Sequence, residues 1–144
     1  MLQALLARRF QLQYHRETKE SPVYLLVRTN KPPDLRDTGD KQACPWVGSV
    51  AGTGLTGDGI RGTNASMQLL AARLSDYLEQ PVFDRTGLTG SFDFRYEIPV
   101  AERSGFDLVS SIKSSVQGLG LNLQAGKGPV ELLVIDHADK PSGN

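Results

Sequence analysis

The hexapeptide Pro22-Val23-Tyr24-Leu25-Leu26-Val27 recurs as Pro129-Val130-Glu131-Leu132-Leu133-Val134, identical at five of six positions. Each copy opens on a proline, which a strand tolerates at its first residue because no ladder hydrogen bond is needed there. Each is also preceded by a shorter segment that alternates apolar and polar residues, Phe10-Gln11-Leu12-Gln13-Tyr14-His15 before the first and Leu121-Asn122-Leu123-Gln124 before the second. Alternation with period two is the pattern of a half-buried strand. The polar stretch Arg16–Ser21 and the Gly-rich Ala125-Gly126-Lys127-Gly128 predict the turns that join each pair. With a helical periodicity ahead of each pair, the chain reads as repeated helix–strand–strand units. That is an α+β fold, with helices packed on a mixed or antiparallel sheet.

Three segments carry the helical period. Leu2, Leu5, Leu6 and Arg9 are spaced as one helical face, and Met67, Leu70, Ala71, Leu74 and Leu78 form a second face behind Ser66, a suitable N-cap. Leu108, Val109, Ile112, Val116 and Leu119 predict a third, from Phe106 to Gln117, which Gly118 or Gly120 can end in a left-handed cap. Pro81–Asp84 reads as a short strand. Ser91–Ile98 alternates cleanly, with Phe92, Phe94, Tyr96 and Ile98 on one face. Between them lies Thr86-Gly87-Leu88-Thr89-Gly90, a turn whose pentapeptide occurs also at 53–57. Residues 29–65 are rich in Pro, Gly and Asp and read as a long loop with one short strand around Trp46–Val50.

At 144 residues the chain is expected to be a single domain with a core of its own. No stretch approaches the ~20 apolar residues of a membrane-spanning helix. Sixteen basic and sixteen acidic residues cancel, which argues against capture of nucleic acid by a global field. The cluster Arg8, Arg9, His15, Arg16 and Lys19 lacks interleaved aromatics and reads as a solvated face. Cys44 stands alone, so no internal disulfide forms.

The chemistry-bearing candidates are few. Gly52-Thr53-Gly54-Leu55-Thr56-Gly57 matches a dinucleotide-binding pattern, but that pattern works only where its last glycine opens a helix. Asp58-Gly59-Ile60-Arg61-Gly62 cannot start one, so a mobile glycine loop is the better reading. Neither a Gly-Lys-Ser/Thr phosphate loop nor a Gly-x-Ser-x-Gly nucleophile motif is present. His15 and His137 fall at the ends of predicted strands in related places of the two units. Together with Asp136, Asp139 and Glu17 they could form a base pair or a weak metal site. Asp84 and Asp93 flank the 85–90 turn, where a hairpin would bring them together. Their expected role is turn stabilisation, Asp84 accepting backbone N–H groups.

The segments Ser66–Ala71, Pro81–Phe94 and Pro129–His137, with the ending Lys140-Pro141-Ser142-Gly143-Asn144, resemble a soil-associated bacterial family of uncharacterised proteins. Leu2–Phe10, His15–Glu20 and Pro22-Val23-Tyr24 fit the same family. The resemblance implies no reaction. Members usually carry an N-terminal signal and a further segment, both missing here, so the chain is expected to be the C-terminal part of a longer precursor; a periplasmic or secreted location is what the resemblance implies. Fusion of some relatives to sensor-type membrane metallopeptidases implies sensing or docking. Residues 66–136 are also similar, more distantly, to the short N-terminal domain of secretins and TonB-dependent receptors, a protein-interaction module.

The expected function is therefore a non-enzymatic extracytoplasmic interaction module, without cofactor, that presents sheet edges and the 29–65 loop to a protein or envelope partner or to a second copy. The alternative is a small hydrolase or metal-assisted enzyme built on His15, His137 and Asp136. A nucleotide-binding loop at Gly52–Gly57 is a third possibility.

Overall fold

A computed structural model describes residues 13–50, 58–99 and 107–137. It contains seven strands and two helices among those residues, in the order β1 (Gln13–Arg28), β2 (Arg36–Asp37), β3 (Trp46–Gly48), β4 (Gly59–Ala65), α1 (Met67–Leu78), β5 (Val82–Asp84), β6 (Phe92–Glu97), α2 (Leu108–Gly118) and β7 (Leu121–His137). The fold class is α+β, as expected. The helix expected over residues 1–10 and the loop 51–57 lie outside the described residues.

The strands form two sheets, one in the order β5-β1-β7 and one in the order β2-β6-β4-β3. The first is mixed: β5 runs parallel to β1, with Tyr24 opposite Val82 and Leu26 opposite Asp84. In the second, every neighbouring pair is antiparallel. The chain divides into two compact units, residues 22–127 and residues 1–21 with 128–144.

The larger unit holds the core. Leu26, Val47, Ile60, Met67, Leu70, Leu74, Phe94, Ile112, Val116 and Leu121 are all buried in one cluster, drawn from both helices and both sheets. Ser66 caps α1 as expected, its hydroxyl accepting the Leu69 N–H at 3.1 Å. The predicted face of that helix is the buried one, at Met67, Leu70, Ala71 and Leu74. Ser75 then joins α1 to β5: its hydroxyl donates to the Ala71 carbonyl at 2.9 Å and accepts the Val82 N–H at 2.8 Å. Asp107 caps α2 by accepting the Ser110 N–H at 2.7 Å, which holds its carboxyl below the usual carboxylate range. Ile112, Val116 and Leu119 face inward, whereas Leu108 and Val109, expected inside, are exposed in the first turn. Gly120 ends this segment with a left-handed φ of 76°.

Three expectations require correction. Arg16–Ser21 and Ala125–Gly128 are not turns but continuous strand, so each predicted strand pair is one long strand. An exposed strand needs no apolar alternation, so its polar residues read as a turn. Pro22 is accommodated because β5 pairs with β1 only from Tyr24 onward, leaving the side of β1 at Pro22 without that neighbour. Gly126 serves close approach rather than a turn, since a Cβ there would sit 3.3 Å from Leu25 Cδ1. The repeat of helix–strand–strand units is therefore not what the described residues display; the echoed hexapeptides lie instead in β1 and β7, which are neighbours in one sheet.

Residues 29–65 are likewise not a loop throughout. The short strand near Trp46 is present as β3, but β4 is an inner strand of the four-stranded sheet with Ile60 and Ala65 fully buried. Its glycines conceal it. At Gly62 the missing side chain is replaced by the Phe94 ring of the opposite strand, which occupies the space a Cβ would take. Finally, β5 and β6 belong to different sheets, so Asp84 and Asp93 do not face each other across a hairpin.

Candidate functional site

Within the smaller unit, the described parts of β1 and β7 are exposed along most of their length. His15 Nδ1 lies 2.9 Å from Asp136 Oδ2 and 3.0 Å from Oδ1, and its N–H donates to the carboxylate. The pair is open to solvent, with side-chain exposures of 54% and 45%. The Asp136 hydrogen bond, and then its charge, raise the His15 pKa from the ordinary 6.5. Arg16 pairs with Glu131 at 2.6 Å on the same two strands. His137 directly follows Asp136 in β7, and the alternation of a strand sends adjacent side chains to opposite faces. The structure thus brings His15 to Asp136, while His137 leaves on the face opposite Asp136.

A raised histidine pKa gives a definite sign. The stabilisation from this pair is complete below the ordinary value of 6.5 and disappears as pH rises through the raised value. We expect Asp136→Asn to bring the His15 midpoint, followed by its ring-proton NMR shift, back toward 6.5. The stability difference between the variant and the parent should be largest below that pH and vanish well above it. An unchanged His15 midpoint would show that the ion pair does not persist in solution.

Two surface clefts lie in the larger unit. The first, about 540 Å³, is lined by Asp34, Arg36, Arg61, Thr63, Asp93 and Arg95 among others. The second, about 500 Å³, is bounded by Asp37, Thr38, Lys41, Asn64, Gly90 and Ser91. A single residue connects their walls. The pairing of β4 with β6 shifts register between Gly62 and Ala65, and at this bulge Asn64 adopts a left-handed φ of 45°. Asp93 accepts the Asn64 N–H at 2.8 Å, the Thr38 hydroxyl at 3.1 Å and the Gly39 N–H at 3.4 Å. The Asn64 bond, chiefly, holds the Asp93 carboxyl below its ordinary pKa, so it stays charged across the neutral range. The Asn64 amide in turn donates to the Ala43 carbonyl at 2.7 Å. Sequence reading gave Asp93 to the wrong turn; the bulge it serves lies in the strand that went unrecognised.

Asp84 plays the part expected of it. One of its oxygens accepts both the Thr86 N–H at 2.9 Å and the Thr86 hydroxyl at 2.7 Å. Cys44 is exposed and free. The residues after the Gly52–Gly57 motif form β4 rather than a helix, so the geometry that a dinucleotide fingerprint requires is missing there. Among the described residues no group of three or more His, Cys, Asp or Glu is gathered as a metal site, and no helix is long and apolar enough to cross a membrane.

Among the described residues, half of the exposed large apolar side chains lie on β7. Leu132, Leu133 and Ile135 are 39%, 50% and 58% exposed, and Tyr14 of β1 is open as well. Among the described strands, in the order β5-β1-β7, β7 lies at the edge. A strand edge with apolar side chains is a ready template for another strand.

Among the described residues these features define an α+β fold with β7 at a sheet edge and two polar clefts. A family model described as a protein of unknown function, DUF3738, matches residues 1–138, and the chain belongs to that family. No curated protein and no solved structure matches the chain.

Proposed function

We propose that this domain is a non-enzymatic extracytoplasmic interaction module that docks through β7. The observation behind the reading is the exposed pair Leu133 and Ile135 on one face of β7, with exposed Leu132 on the other, in a strand at the edge of the described sheet. An extended segment of a partner adds to such an edge through main-chain hydrogen bonds, and alternate side chains provide the anchors. The distant sequence likeness of residues 66–136 to the secretin and TonB-receptor interaction domain points to the same class of role.

A photo-crosslinking side chain at Leu133 in the native cell tests it, with Arg73 on the exposed face of α1 as the control position. Crosslinks at 133 to one defined protein, or to a second copy, are expected, together with their loss in Ile135→Asp. Equal labelling at 133 and 73, unaffected by Ile135→Asp, would overturn the reading.

The His15–Asp136 pair favours a second reading, a small hydrolase or metal-assisted enzyme using His15, Asp136 and His137. An imidazole oriented by a carboxylate is the usual arrangement of a general base. Its exposure on an open strand surface, outside both clefts, makes this the weaker of the two.

A further inference from the structure

We infer that the outer face of the four-stranded sheet, from Trp46 across the first cleft to Arg36, binds an uncharged saccharide. Val47 of β3, Ile60 of β4 and Phe92 and Phe94 of β6 are buried. Side chains alternate along a strand, so Trp46, Arg61, Asp93 and Arg95 stand on the opposite face. Trp46 lies directly opposite Thr63, which shares that face. The bulge sets Thr63 and Asn64 together against Asp93, and Asp93 in turn lies opposite Arg36. One row thus crosses all four strands, about 14 Å at the usual strand spacing. Its members from Thr63 to Arg36 line the cleft of about 540 Å³.

The charges of this face are met within it. Arg36 faces Asp93, Arg95 pairs with Glu97, and Asp34 shares the lining with Arg61. Cations and carboxylates so interleaved leave no net field to draw in an ion. What they leave open is hydrogen-bonding capacity. A guanidinium only donates and a carboxylate only accepts. Set side by side, they suit a sugar hydroxyl, which does both. Arg61, the Asp34 carboxylate and the Thr63 hydroxyl are not spent on ion pairs or side-chain hydrogen bonds to other described residues. Trp46, the one tryptophan of the chain, is half-buried at the end of the row. An indole offers a flat apolar surface, against which the C–H face of a pyranose ring stacks while its rim of hydroxyls meets the polar groups. A pocket with an apolar contact and a few placed polar groups is the usual form of a small-molecule site. The face belongs wholly to the larger unit and is independent of the β7 edge.

Because Trp46 is the sole indole, tryptophan fluorescence reads the site directly. The protein is titrated with cellobiose, maltose, lactose and chitobiose, and in parallel with sodium acetate and sodium phosphate. A saturable change is expected with at least one disaccharide, and none with the two salts. Affinity should stay within about twofold between low and high sodium chloride, since no net charge is engaged. Arg61→Ala should weaken binding about tenfold or more, the usual cost of losing a hydrogen bond to a charged group. Arg61 is exposed, so the variant should keep the melting temperature of the parent. Trp46→Phe, followed by amide NMR shifts at Thr63 and Asp93, should retain part of the affinity. No saturable response to any of the four sugars would overturn the inference. So would saturable binding of acetate or phosphate in their place, a steep loss of affinity with salt, or unaltered sugar binding in Arg61→Ala.

Discussion

Gly62→Ala should lower stability by about 2–3 kcal/mol, the upper part of the usual range for forcing an extra carbon into a packed site. The added Cβ would enter the ring of Phe94, which is itself buried against the core. Neither partner has an easy way out. Phe94 lies in β6 directly opposite Gly62, and the bulge that follows at Asn64 fixes where β4 can move. At this chain length the loss corresponds to a fall of about 5–10 °C in Tm. Urea unfolding followed by circular dichroism measures it. Pairing Gly62→Ala with Phe94→Leu should recover part of the loss, because the smaller side chain leaves room for the new methyl. A single substitution that changes stability by less than about 0.5 kcal/mol would show that β4 and β6 do not pack as described.

Leu74→Ala should cost more, about 3–5 kcal/mol. Leu74 is fully buried on the inner face of α1, in a cluster with Leu70, Val116 and Phe94. Truncation there removes the transfer energy of the side chain and leaves a cavity that surrounding groups fill only in part. Arg73→Ala, one residue earlier, serves as the contrast. Arg73 is half-exposed and its contact with Asp76 is long, at 3.9 Å, so its removal should change stability by no more than about 0.5 kcal/mol. Chemical denaturation of the two variants side by side measures the difference. Equal effects would mean that α1 presents another face to the core.

The helices and β6 were readable from sequence because each is half-buried with a regular period. Met67, Leu70, Ala71 and Leu74 repeat at helical spacing behind a serine cap, and Phe92, Phe94 and Ile98 alternate on one face. Where burial is not one-sided, the signal fails. The exposed lengths of β1 and β7 have no inner face to mark, so polar and glycine residues within them imitated turns. Strand β4 failed for a different reason: its core contribution at Gly62 is made by an aromatic ring from another strand. Part of the candidate site was visible too. His15 and Asp136 were singled out together and do meet. The first cleft was not, because its lining residues Arg61 and Arg95 are 34 residues apart and become neighbours only through the register of the unrecognised strand.

The arrangement around Asn64 has an evolutionary consequence. Its amide is held by Asp93, its side chain holds Ala43, and Gly62 beside it leaves space for Phe94. Ala43 offers only a backbone carbonyl that any residue supplies, but Asn64 with Asp93 and Gly62 with Phe94 are each matched to the other, so drift at any of these four is penalised until its companion changes. Relatives with this bulge should retain all four types or replace them jointly, and lineages that lost it should show the substitutions as a block. Such epistasis would make the middle of the chain the slowest-changing part, despite its glycine-rich, loop-like composition.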